Sequence, residues 1–303
     1  MAFEKSQLGG LIDADVLSKL AHLPMFARRP MQGSVSGRHQ SPFRGSSIEF
    51  AEYRKYVPGD DTRRLDWRAF GRSDRFYLKE FEADTNLRCY LVVDASGSMG
   101  FRGENGISKF DYACRLAATM AYLAIGQGDA AGLVLLREGK TLEIPPKRTP
   151  AQLRLIADKL VETSPGGEPS FCDALHELAE KVPQRGFIVL LSDLYFDPEP
   201  LREAMDHLRF AKHDVSLFQI SDPREIDFNF DRPMRFVDLE DGPDMLTDPQ
   251  VIRNDYLNAF EEHRQAVKKI LAETMVDYQA VTTDDDMGAV LSRFLVARAP
   301  KKV

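Results

Sequence analysis

The sequence predicts an α/β fold: a doubly wound, mostly parallel sheet of six strands, preceded by an N-terminal extension of short strands and turns. Three observations carry this expectation. Leu87, Tyr90, Leu91, Val92 and Val93 in one stretch and residues 187–191 in another are apolar without alternation, as strands buried on both faces are. Segments with apolar residues at helical spacing alternate with such runs, as a doubly wound sheet requires. Both runs lead into an aspartate, Asp94 and Asp193, which puts two carboxylates at the carboxyl ends of strands.

Taken in order, Val16, Leu17, Leu20 and Leu23 predict a short docking helix over 13–23, stopped by Pro24. Residues 27–40 turn to Arg, Gly, Ser and Pro and read as a loop. Residues 43–81 mix aromatics (Phe50, Tyr53, Tyr56, Trp67, Phe70, Phe76, Tyr77) with alternating charge and a Pro58-Gly59-Asp60-Asp61 turn. They read as short strands and turns packed on the main domain. Within them Arg63, Arg64, Asp66, Trp67 and Arg68 form either a partner-facing patch or internal ion pairs beside the only Trp. Internal pairing is preferred, because aromatics mixed with both charges ordinarily fasten an extension to a core. The chain thus divides into an extension, 1–86, and one α/β domain, 87–303.

In that domain Phe110, Ala113, Cys114, Ala117, Met120, Ala121 and Ala124 predict a helix up to Gly126 and Gly128. Residues 130–136 read as a strand that Glu138-Gly139-Lys140 turns into an antiparallel edge strand over 141–144. Leu153, Ile156, Ala157 and Leu160 mark a helix ended by Ser164-Pro165-Gly166-Gly167, and another helix spans 171–182. Further expected elements are a helix over 201–210, strands over 215–220 and 235–239, a long helix over 249–273, a strand over 276–281 and a helix over 287–297. Asp284, Asp285 and Asp286 suit the amino end of that last helix. A metal site there is disfavoured, since consecutive residues cannot all face one ion.

A net charge of -7 argues against a general nucleic-acid binder, although residues 28–88 are rich in arginine. Cys89, Cys114 and Cys172 are odd in number, lie in apolar surroundings and lack metal spacing, so they read as small buried hydrophobes in a reducing compartment. No apolar run is long enough to span a bilayer and no signal-peptide pattern opens the chain, which points to the cytoplasm.

The chemistry gathers at Asp94-Ala95-Ser96-Gly97-Ser98. One carboxylate and two hydroxyls on a tight turn are a hard-cation ligand set, suited to Mg2+ or Mn2+. The alternative is a turn that merely closes the strand, with Asp94 capping the next helix. If the strand order is 3-2-1-4-5-6, the strands ending at Asp94 and Asp193 are neighbours at the switch point where such sheets bind ligands. Asp193 would then be a second ligand, its alternative role again being a helix cap. The turn is expected to face solvent, so that Asp94→Ala would leave the fold intact.

Asp94-Ala95-Ser96-Gly97-Ser98 resembles the Asp-x-Ser-x-Ser first loop of von Willebrand factor A domains, and Leu190-Leu191-Ser192-Asp193 resembles their third loop. That resemblance implies a metal-ion-dependent adhesion site (MIDAS), in which an acidic residue of a partner completes the metal's shell. Gly166-Gly167-Glu168-Pro169-Ser170-Phe171-Cys172-Asp173-Ala174-Leu175 is similar to the second loop, but Pro169 stands where a threonine is expected, and Ser170 is the nearest hydroxyl. The implied metal ligands are Asp94, Ser96, Ser98, Ser170 and Asp193. Upstream, Glu49-Phe50, Tyr53-Arg54, Tyr56, Pro58-Gly59-Asp60-Asp61, Arg64 and Asp66-Trp67 resemble the signature of the bacterial domain-of-unknown-function family numbered fifty-eight. That resemblance implies a von Willebrand A-like domain in a protein typically encoded beside a MoxR-type AAA+ ATPase.

Two functions are weighed. The favoured one is a non-catalytic, metal-dependent binding module or adaptor that engages an acidic residue of a MoxR-type ATPase or its client, in assembly or maturation of other proteins. The rival is a metal-dependent hydrolase of phosphoesterase type in the same crevice. Hydrolysis wants a positioned base or nucleophile beside the metal, and no histidine motif, Gly-x-x-x-x-Gly-Lys or Asp-x-Asp pair supplies one.

Overall fold

The computed structural model describes residues 10–25, 49–55, 70–71, 76–82, 87–138, 140–167, 170–182, 185–239 and 244–299, with backbone alone in 49–55 and 77–82. In chain order the elements are α1 (Ala14–Leu20), β1 (Glu49–Lys55), β2 (Tyr77–Glu82), β3 (Arg88–Asp94), α2 (Lys109–Gly126), β4 (Ala130–Arg137), β5 (Lys140–Lys147), α3 (Pro150–Glu162) and α4 (Phe171–Lys181). There follow β6 (Phe187–Ser192), α5 (Glu199–Phe210), β7 (Asp214–Ser221), α6 (Pro223–Asp227), β8 (Met234–Phe236), β9 (Met245–Thr247), α7 (Pro249–Glu273), β10 (Asp277–Thr282) and α8 (Met287–Arg298).

The chain divides into two compact units, Arg29–Asn86 and the rest, Met1–Arg28 with Leu87–Val303. In the smaller unit β1 and β2 pair antiparallel, with an irregularity between Phe50 and Glu52. The Pro58-Gly59 turn, the Arg63 to Arg68 group and the loop over 27–40 lie outside the described residues.

In the larger unit the sheet order is β10-β7-β6-β3-β4-β5. Counted in chain order, this is the 3-2-1-4-5-6 arrangement. Every neighbouring pair is parallel except the β4–β5 hairpin, so the fold is doubly wound. The central strand β6 is buried along its whole length, which is why Phe187 to Leu191 run apolar without alternation; β7 is as buried but carries the polar Asp214, Ser216, Gln219 and Ser221. Helices cover both faces. Leu175 and Leu178 of α4, Met205 and Leu208 of α5, and Ile270 and Leu271 of α7 pack with Val92, Leu190 and Leu217 of the sheet. On the other face the rings of Phe187 and Phe218 meet Phe294 of α8.

Local chemistry sets the helix ends. Ser108 and Asp111 form a reciprocal capping box at the head of α2. Of the acidic triplet Asp286 is the cap, accepting from Ala289 N at the head of α8, while Asp285 accepts from Thr282 N and Asp284 from Asn105 Nδ2. The expected elements are present, with α1 shorter and β8 displaced from 235–239. The sequence pattern missed α6 and β9, which at five and three residues are too short for any periodicity to register. Cys89 and Cys114 are buried and all three thiols are free. Burial pushes the Cys172 thiol up to about 11. Among the described residues no helix is long and apolar enough to cross a membrane.

Arg298 ends α8 inside the protein, 4% exposed, with its guanidinium on Asp214 at 2.5 Å, on Asp277, on Ser216 Oγ and over the Phe187 ring. The first residues of β7 and β10 are thereby tied to the last helix. Arg298→Met should lower unfolding free energy by about 3–5 kcal/mol, the usual result of removing one side of a buried ion pair. Urea denaturation checks this; a loss well under about 1 kcal/mol, as for a surface pair, would contradict it.

Candidate functional site

The parallel register places the carboxyl ends of β3 and β6 side by side: Val93 pairs with Leu191, so Asp94 meets Ser192. Ser192 Oγ donates to Asp94 Oδ2 at 2.6 Å and accepts from Leu194 N at 2.9 Å. Asp94 Oδ1 accepts from Ser96 N at 2.9 Å, closing an Asx turn. Neither aspartate caps a helix. Asp94 instead holds its own loop, and Asp193 Oδ1 accepts from Tyr195 N.

The turn lies deeper than the sequence suggests. Asp94 is 3% exposed, Ser96 5% and Asp193 2%, so the expectation of a solvent-facing carboxylate fails. The reason is a zipper between loops: Gly97 N donates to Gly167 O at 2.8 Å and Gly166 N to Ala95 O at 2.9 Å. Gly167 has φ +71°, and a Cβ there would meet the Glu138 side chain at 2.3 Å, so this position needs glycine. The second loop therefore covers the first. Ser98 is half-buried. Ser170 stands exposed at the N-cap of α4, where its side chain makes no capping hydrogen bond. Pro169, at the expected threonine position, lies outside the described residues.

Of the five predicted ligands, Asp94, Ser96 and Ser98 are thus gathered by hydrogen bonds. Ser96 Oγ and Ser98 Oγ are 3.1 Å apart. Neighbouring ligands in an octahedral Mg2+ shell are about 3 Å apart, so this pair fits a hard cation. Electrostatics point the same way: burial, and then the Asp193 charge, push the Asp94 carboxyl up to about 7 although Ser192 and Ser96 hydrogen bonds oppose the shift. Such a carboxylate favours an added cation. Among the described residues no group of three or more His, Cys, Asp or Glu could hold a metal ion, so hydroxyls would have to supply part of the shell.

Asp193 is joined to a residue that sequence reasoning passed over. Lys109 Nζ lies 2.7 Å from Asp193 Oδ2 and 2.5 Å from Glu225 Oε1, with its side chain fully buried. The ammonium also sits 4.5 Å from the Tyr195 ring centroid. Burial alone would lower the Lys109 pKa, but Asp193 and Glu225 outweigh burial and hold it above its ordinary value. Burial keeps Glu225 above the usual carboxylate range, Lys109 opposing. The available signal was position: Lys109 opens α2, where a cation opposes the helix dipole, and Glu225 completes a capping box with Asp222 just after β7. Leu194, at φ +60°, occupies the left-handed region, and His263 Nε2 donates to its carbonyl at 2.9 Å. No local pattern marks either of these.

The family model described as "Protein of unknown function DUF58" matches residues 52–266. Uncharacterized proteins of Mycobacterium tuberculosis (Rv1480) and Mycobacterium bovis (Mb1516) are each 28% identical over 300 residues, covering 96% of this chain and 92% of theirs. Similar solved structures include the conserved hypothetical protein BatB from Bacteroides thetaiotaomicron, with TM-score 0.49 and 15% identity over 70% of this chain and 98% of that one. The SpRpn10 VWA domain is similar with TM-score 0.40 and 12% identity, over 71% and 96%.

A folded-state pKa of about 7 for Asp94, above its ordinary 3.8, means that the folded chain binds protons that the unfolded chain releases. This contribution therefore favours folding as pH falls through about 7 toward 4, and opposes it above, by on the order of 1 kcal/mol per unit inside that window. With metal chelated, wild type should gain stability relative to Asp94→Asn between pH 8 and pH 5, measured by urea unfolding (pH values about these). Parallel pH profiles would contradict it.

Proposed function

The chain belongs to the family of proteins of unknown function DUF58, and from that premise we propose that it is a non-catalytic, metal-dependent protein-binding module. Its partner offers an acidic residue and is a MoxR-type AAA+ ATPase or that ATPase's client, in assembly or maturation of other proteins. The observation that carries this reading is the turn at the end of β3, where Asp94, Ser96 and Ser98 are held together and the two hydroxyls stand 3.1 Å apart. Asp94, Ser96 and Ser98 would hold Mg2+ or Mn2+, with Ser170 and Asp193 at the margin. When bound, the metal supplies an electrophilic centre that accepts a partner carboxylate. This chain's own part is to keep the loops fixed: Ser192 steadies Asp94, and the Gly166-Gly167 backbone clamps Ala95 and Gly97. Half-buried Ser98 and exposed Ser170 mark the side from which a partner arrives.

Binding is favoured over hydrolysis by what lies beside the third loop. The Lys109 ammonium is engaged by two carboxylates that hold its pKa above the ordinary value, so it is not set up as a general base.

Immobilised full-length chain should capture a purified MoxR-type ATPase in Mg2+, and capture should fall by about ten-fold or more with chelator or in Asp94→Asn. Asparagine can still accept from Ser96 N, so the variant should fold. Undiminished capture by folded Asp94→Asn, or in chelator, would sink the metal-bridge reading.

A further inference from the structure

Lys109 is an expensive residue to place where it is. An ammonium with a fully buried side chain must replace its hydration, and at the first position of α2 it also opposes the helix dipole. The fold answers with two carboxylates from different strand ends, Asp193 after β6 and Glu225 on α6 after β7, and with the face of Tyr195. Asp193 also directly follows Ser192, whose hydroxyl donates to Asp94 Oδ2 at 2.6 Å, so it stands at the ends of the same two paired strands as the candidate metal site. One carboxylate thus faces two claims: the chain's own ammonium and a divalent ion.

We propose that Lys109 is the resident cation of this crevice, a positioning residue that holds Asp193 and against which a divalent metal must compete. Asp94, Ser96 and Ser98 then carry the metal, and Lys109, shared between Asp193 and Glu225, sets how tightly. Glu225 is part of the device, because it is the second seat for the ammonium. The inference rests on the metal-dependent reading above and adds the group that limits metal affinity. A purely structural tie would hold α2, β6 and α6 together without any bearing on metal.

The test is calorimetric titration of Mg2+ and Mn2+ into the full chain as wild type, Glu225→Gln and the double variant Lys109→Met/Glu225→Gln. Lys109→Met alone would leave two buried carboxylates without their cation and is avoided for that reason. The double variant keeps the charge of the Lys109, Asp193 and Glu225 group unchanged while freeing Asp193, so a change in affinity reports release of that carboxylate. Glu225→Gln keeps an acceptor for Asp222 N and drives the ammonium wholly onto Asp193.

The expected order of metal affinity is double variant above wild type above Glu225→Gln, with about ten-fold between the first two. The Glu225→Gln comparison tests the same claim without altering Lys109. Equal affinities in all three proteins would overturn the role of Lys109 and leave the metal-dependent reading standing. A double variant that binds metal more weakly than wild type would do the same. No saturable binding in any of the three would overturn both.

Discussion

The structure depends on neutralising carboxylates that a parallel sheet brings together. Parallel neighbours end at the same edge, so Asp94 after β3, Asp193 after β6 and Asp222 after β7 gather within a few strands' width. Each is nearly sealed from water. Buried carboxylates need donors or cations, and each of these has its own. Asp222 takes backbone N–H groups from Gly103 and Arg224. Asp193 takes Lys109. Asp94 takes the hydroxyls of Ser192 and Ser96 and the Ser96 backbone N–H, with no cation among them, and burial raises its proton affinity.

The opposite edge of the sheet solves the same problem with a different cation. Asp214 and Asp277 open β7 and β10, and Arg298 bridges them from the end of α8. Arginine suits that place because its planar fork can serve two carboxylates and a serine at once. Lysine suits the other because a point charge can be shared between seats. The two knots differ in consequence: one fastens a helix to the sheet, and the other sits beside a carboxylate with surplus charge.

Fold was legible in the sequence for a simple reason. Runs such as Phe187-Ile188-Val189-Leu190-Leu191 have no polar face, and only a covered parallel strand makes use of such a run. The turn residues between 137 and 141 led to an expected antiparallel edge strand, and β5 pairs antiparallel with β4. The first loop was legible too, since its donors are adjacent in sequence and their oxygen chemistry does not depend on distant residues. What stayed hidden is tertiary. That Asp94 is buried depends on a loop 70 residues downstream, through Gly166 and Gly167. Lys109, Glu225 and His263 reach the site from three separate helices, and no local pattern names Asp193 as the partner of Lys109. A lysine at a helix head was the one anomaly on view.

The central claim is that the Asp94, Ser96 and Ser98 turn holds a hard divalent cation. Diffraction at the manganese absorption edge, from crystals of the full chain grown with Mn2+, tests it most directly. The account predicts one anomalous peak bonded to Ser96 Oγ and Ser98 Oγ and set beside Asp94. A peak elsewhere, or none at this turn, would contradict it.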